Sequence, residues 1–179
     1  AVEGMVGHGI PNLVSRFSPA EAQEPQTLER TLAQFNRYYG AHNMELTAPY
    51  AGMPEAVERL RAAGVRTAVL SNKAHALAGP VVEDYYPGQF PWVQGALPGL
   101  PTKPDPTLLH RLMEQMGASP EDTLFVGDSD VDIRTARNGG LTSCGVLWGF
   151  RGRAELEAEG ADCLARTPEE LVKAVLGDG

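Results

Sequence analysis

The sequence predicts an α/β protein, a parallel sheet covered on both faces by helices, preceded by a smaller helical piece. Three observations carry that prediction. Residues 1–47 are polar with helical spacing, whereas residues 48–179 alternate short apolar runs with amphipathic stretches. Strands that alternate with helices pair in parallel, because a parallel partner needs a crossover long enough to hold a helix. Residues able to do chemistry fall just after the apolar runs, at the strand ends where open α/β sheets place their sites.

The elements follow in order. "LERTLAQFNRYYGAH" sets Leu28, Leu32, Phe35 and Tyr39 at helical spacing. A seam near Pro49–Pro54 separates this piece from the rest. Pro54 suits the first turn of a helix, Val57 and Leu60 form its apolar face, and Gly64 ends it. "VRTAVLSN" is rich in β-branched residues and reads as a strand. Between Val81 and Thr102 the Pro/Gly-rich "YYPGQFPWVQGALPGLPT" reads as irregular, with one strand around Trp92. "PTLLHRLMEQMG" is a helix with Asp105 as N-cap and Gly117 as its stop. "TLFVGDS" is a strand, "DIRTARNGG" a helix capped by Asp130, "TSCGVLW" a strand and "ADCLA" a short last strand. "TPEELVKAVL" closes the chain with a capping box of Thr167 and Glu170.

Bulk properties narrow the function. Fifteen basic and 23 acidic residues give a net charge of −8 with no basic block, which argues against nucleic acid or an anionic membrane as partner. Cys144 and Cys163 form no CxxC or Cys/His cluster, so both read as small apolar side chains. The N-terminal stretch lacks a basic start and a sustained apolar core, and no run approaches membrane-spanning length. A reducing cytoplasm is the expected compartment, for a monomer or homodimer.

Three strand ends bear the chemistry. "VLSNK" places Ser71, Asn72 and Lys73 after the first apolar run, "TKPDP" places Lys103 before a helix, and "VGDSDVD" gathers Asp128, Asp130 and Asp132. Each has a plainer account alone: Ser71 and Asn72 cap a helix, Lys103 is a solvated lysine, Asp130 is an N-cap. Together they describe a phosphate-and-metal site. Carboxylates this close repel one another, and a hard cation such as Mg²⁺ between Asp128 and Asp132 would offset that. A hydroxyl, an amide and an ammonium would receive the phosphoryl oxygens, with Lys73 as a second contact.

"SNK", "KPDP" and "GDSDVDI", in that order, resemble the second, third and fourth motifs of the haloacid dehalogenase (HAD) superfamily, whose core is a Rossmann-like parallel sheet. The surrounding phrases "PYAGMPEAVERLRAAGVRTAVLSNK" and "LFVGDSDVDIRTARNGGLTSCGVLWG" are similar to its phosphoglycolate phosphatase-like branch, and "MVGHGIPNLVSR" resembles part of that branch's helical cap. The resemblance implies a partial cap over residues 1–47 and an α/β core over 48–179. It implies an Mg²⁺-dependent phosphatase acting on a small phosphorylated metabolite through a phosphoaspartate. In that scheme Ser71, with Asn72, binds the phosphoryl group, Lys103 stabilises nucleophile and phosphoryl, and Asp128 and Asp132 hold the metal.

The chain departs from the family in one respect. The nucleophile and acid–base pair belong to a DxDx(T/V) signature, and neither "DSDVD" nor "DVDIR" fits it. The expectation is therefore that the pair and the first strand of the core lie upstream of this sequence. The alternatives are a non-catalytic metal- or phosphate-binding protein of the same fold, or a phosphomutase. A receiver domain has the reverse motif order. GxxxxGK[ST] and a complete GxGxxG are absent, which disfavours P-loop and dinucleotide-binding readings. His8, between two glycines, reads as a turn residue rather than a substrate contact, and Arg16 and Arg37 read as surface helix residues, the alternative being contact with a substrate carboxylate.

Overall fold

The computed structural model describes residues 10–20 and 23–177; His8 lies outside them. The chain divides into two compact units, Ala1–Ala48 and Pro49–Gly179.

In the first unit, α1 (Ile10–Phe17) and α2 (Pro25–His42) form a helical pair. Phe17 lies against Phe35 with ring centroids 6.2 Å apart, and Phe35 stacks on Tyr39 at 5.6 Å. The Gln23 amide donates to the Ser15 and Ser18 carbonyls, closing the turn between the helices. The spacing of Phe35 and Tyr39 thus does what an apolar helical stripe should. Arg16 and Arg37 are exposed.

The second unit alternates helices and strands: α3 (Met53–Ala62), β1 (Ala68–Ala74), α4 (His75–Tyr85), β2 (Trp92–Ala96), α5 (Thr107–Met116), β3 (Leu124–Gly127), α6 (Asp130–Gly139), β4 (Thr142–Val146), α7 (Arg153–Ala158), β5 (Cys163–Ala165) and α8 (Pro168–Leu176). All ladders are parallel, as the alternation predicts. α6 is buried nearly all round, with Val131, Ile133, Thr135 and Ala136 among its enclosed residues, whereas Leu108, Leu109, Leu112 and Met113 bury one side of α5. Leu109, Met113, Ala136 and Leu141 form one cluster, while Cys144, Val146, Ala165 and Leu171 form another. Both cysteines are free thiols, and burial pushes Cys144 up to about 12.

Where one continuous sheet is expected, the strands form two: β1–β2 and β3–β4–β5. β1 and β3 each lack a strand partner on one side among the described residues. The exposure pattern records this. Val126, in the middle of β3, is 39 % exposed, and Ala68–Ala74 of β1 contains no fully buried residue. Inner strands of a doubly covered sheet are normally buried on both faces.

Local boundaries also shift from the sequence expectation. α4 runs through Pro80 to Tyr85, across the start of the stretch read as irregular. The N-cap of α5 is Pro106 rather than Asp105, whose side chain instead accepts from the Thr107 N–H at 2.9 Å. The N-cap of α6 is Ser129 rather than Asp130. In both cases the aspartate sits one position away from the residue that changes backbone conformation.

Candidate active site

Lys103 is the hub of the site. Its side chain is 14 % exposed, and Nζ donates to Asp132 Oδ1 at 2.7 Å. The same ammonium lies 5.9 Å from the centroid of the Phe125 ring. A lysine so enclosed is not the solvated surface residue that its loop position would suggest.

The loop carrying Lys103 is tied to β1 by Asn72. The Asn72 amide donates to the Lys103 carbonyl at 3.1 Å, and its oxygen accepts from the Lys103 N–H at 2.9 Å. The sequence suggests that Asn72 supports phosphoryl binding, and the structure shows its amide clamping the neighbouring strand-end loop. The Ser71 hydroxyl accepts from the Lys73 N–H at 3.1 Å. That contact uses a lone pair of Ser71, so its proton can point toward an acceptor.

The three clustered aspartates have different partners. Asp132 Oδ2 accepts from the Asp128 N–H (3.2 Å), the Ser129 N–H (3.1 Å) and the Ser129 hydroxyl (2.6 Å). With Lys103 on its other oxygen, this carboxylate closes the turn between β3 and α6. Asp130 faces another way, pairing with Arg134 at 3.1 Å and lying 3.8 Å from Arg151. Arg134 also binds Glu159, which raises the guanidinium and holds the Glu159 carboxyl below its ordinary value. Among the described residues, no cation is in direct contact with Asp128. Burial pushes its carboxyl above the usual range and Asp132 adds to this, while the Phe150 N–H and the Lys103 charge oppose it.

The positive charge beside Asp132 is thus the Lys103 ammonium. Asp128 is the half-buried carboxylate whose charged form the surroundings disfavour, which is the condition a bound cation would relieve. Among the described residues, no three His, Cys, Asp or Glu side chains gather as a metal cage. Mg²⁺ typically needs only one or two carboxylates, completed by water and substrate oxygens, so the Asp128–Asp132 pair fits that ion.

Two features escaped the sequence reading. Gly127 lies so close to Asp132 that a β-carbon there would sit 2.1 Å from the Asp132 β-carbon. The segment after β4 touches Asp128, with the Phe150 N–H donating to Oδ2 at 3.1 Å. A glycine immediately after an apolar strand, as in "GVLWGF", is the signal of close backbone approach that could have pointed there.

Ser71 does not follow β1, as its place after the apolar run suggests, but lies inside it, where the ladder to β2 is interrupted between Leu70 and Ala74. A parallel α/β core with Ser71 there, Lys103 in the loop before α5 and Asp128 directly after β3 defines a class, and comparison with known families identifies it. Residues 2–140 match the haloacid dehalogenase-like hydrolase family, and the chain belongs to that family. Among relatives, it is 33 % identical over 165 residues to a phosphoglycolate phosphatase of Pseudomonas putida, covering 89 % of this chain and 60 % of that one. It is also 33 % identical over 172 residues to a plasmid-borne phosphoglycolate phosphatase of Cupriavidus necator, covering 95 % and 74 %. A crystal structure from Lactobacillus delbrueckii, provisionally described as a phosphoglycolate phosphatase, superposes with a TM-score of 0.91 at 30 % identity, covering 99 % of this chain and 82 % of that one. The chain thus spans about 60 % of the length of the Pseudomonas relative.

Proposed function

We propose that this chain forms the larger part of an Mg²⁺-dependent phosphatase that hydrolyses a small phosphate monoester of the phosphoglycolate kind. Its observational basis is the enclosed Lys103 ammonium, paired with Asp132 and carried on a main chain that Asn72 of β1 clamps. A cation fixed in a partly dry site stabilises charge that develops on a transferring phosphoryl group, without reorganising at the moment of reaction. The Ser71 hydroxyl donates to a phosphoryl oxygen, with Lys73 beside it. Asp128 holds Mg²⁺, and Asp132 supports the ion through the turn or through water. The bound ion would supply charge neutralisation on the phosphoryl oxygens.

The nucleophilic aspartate, in this proposal, lies on a strand upstream of the sequence and forms the phosphoaspartate. The open sides of β1 and β3 support this, since a parallel strand between them would join the two sheets and bring its end beside Lys103 and Asp128. The similarity to phosphoglycolate phosphatases supports the substrate class. No helix among the described residues is long and apolar enough to cross a membrane.

The test is phosphate release from phosphoglycolate and other small monoesters by the full-length protein. Hydrolysis should require Mg²⁺ and stop with a chelator, and Asp128→Ala should abolish it while the circular dichroism spectrum stays native. Activity undiminished in Asp128→Ala would remove the metal assignment. No phosphate release from any monoester would favour the non-catalytic reading.

A further inference from the structure

We infer that the loop after β4, residues 147–151, is a positioning element that fixes the Asp128 carboxylate for its cation, and that Gly149 is glycine because no side chain fits between loop and carboxylate. The inference rests on the reading of Asp128 as a cation ligand.

The loop reaches Asp128 because β3 and β4 are paired in parallel up to Gly127 and Gly145, so the segments leaving both strands emerge side by side. Its start is anchored: the Leu147 N–H donates to the Ala165 carbonyl at 3.0 Å, and Trp148 packs on the cluster around Cys144 and Val146. Two hydrogen bonds then converge on Asp128. The Phe150 N–H donates to Oδ2 at 3.1 Å, and the Arg151 N–H donates to the Asp128 carbonyl at 3.0 Å. Between the anchor and these bonds lies Gly149, where a β-carbon would stand 2.2 Å from both Cβ and Oδ2 of Asp128. Non-bonded carbon atoms sit comfortably at about 3.5–4.0 Å, so any side chain here must displace the aspartate or the loop.

Backbone conformation does not explain this glycine. Gly149 is not among the glycines with positive φ, so an L-residue could adopt its dihedral angles. Space alone excludes one. Asp132 is held from several sides by Ser129 and Lys103, whereas the side-chain hydrogen bond that reaches Asp128 from another element comes from this loop. A partner that orients a ligating carboxylate before the ion arrives spares reorganisation on binding, and losing such a partner typically weakens metal affinity about 10–100-fold.

The experiment measures the Mg²⁺ dissociation constant of the full-length protein by titration calorimetry for wild type, Gly149→Ala and Gly152→Ala. Gly152 is the residue next to the loop, at the N-cap of α7; it has φ −81° and would present a β-carbon to open space, so it controls for an added methyl group. Gly149→Ala should weaken Mg²⁺ binding at least about tenfold, or roughly 1.4 kcal/mol, and Gly152→Ala should match wild type. A second measurement compares thermal melts in chelator. The destabilisation caused by Gly149→Ala should shrink by more than half in an Asp128→Gly background, where the obstructing side chain is gone; this comparison also serves if the single variant folds poorly. Equal Mg²⁺ affinity in Gly149→Ala and wild type, or an undiminished cost in the Asp128→Gly background, would overturn the inference alone. A wild type with no saturable Mg²⁺ binding would overturn the reading of Asp128 as well.

Discussion

Asn72 and Lys103 divide one task. Lys103 presents charge, and Asn72 fixes the main chain that presents it, by two hydrogen bonds across 31 positions of sequence. Lys103→Ala should lower kcat by about two to three orders of magnitude, the usual effect of deleting a preorganised electrostatic contact in an active site. A mild loss in steady-state assays would return Lys103 to the role of a structural ion pair. Asn72→Ala leaves a half-buried N–H and carbonyl without their partner, so it should also cost about 1–3 kcal/mol in chemical denaturation. An Asn72→Ala protein of unchanged stability would contradict the clamp. The place of Asp128 directly after β3 was legible in the sequence because a strand end can be read from an apolar run and the punctuation after it, whereas Ser71, read the same way, falls inside β1 because the strand runs on to Ala74. The partner of Asn72 was not, because an amide's type says nothing about which loop folds over it. The same holds for Gly149, whose requirement is set by a residue 21 positions earlier.

Helix ends and strand pairs show a similar division. The expected cap of α8 is present, with the Thr167 hydroxyl accepting from the Glu170 N–H at 3.2 Å. Its reciprocal half differs, since the Glu170 side chain takes the Arg166 N–H rather than that of Thr167. Long, strongly periodic elements such as α2 and α5 were legible. The six-residue α7 was not, because so short a helix completes fewer than two turns and leaves little periodicity to read. β4 and β5 are joined by side chains as well as backbone: Asp162 accepts from both the Ser143 N–H at 2.8 Å and the Ser143 hydroxyl at 2.7 Å. These bonds hold the Asp162 carboxyl below its ordinary value. The unfolded chain therefore takes up this proton first as pH falls, so the contribution is present above the ordinary carboxylate range and lost as pH drops through the lowered value. Asp162→Asn should flatten the fall in stability on the acid side of about pH 4, measured by denaturation at a series of pH values. An unchanged acid limb would mean the Ser143 contacts contribute nothing at that end.

For the whole molecule, the alternation of elements along the sequence reveals the fold class, but not that the sheet stands in two pieces. Periodicity identifies strands and does not count the neighbours each one has. Open strand sides expose unpaired N–H and C=O groups that recruit strands from other molecules. A protein limited to these 179 residues should therefore associate with rising concentration in sedimentation velocity, and a longer polypeptide carrying an upstream strand should not. Monodisperse behaviour of the short form at high concentration would show that its edges are protected in another way. The two-piece sheet also bears on the order of assembly. Every strand pair joins neighbours in sequence, β1 with β2, β3 with β4 and β4 with β5, so each block closes only a local crossover. Such short-range pairing proceeds quickly from within its own stretch of chain. A strand lodged between the blocks would have its partners at distant points along the polypeptide, and would be the last part to gain stability although synthesised first. Commitment to the native state would then coincide with completion of the catalytic centre.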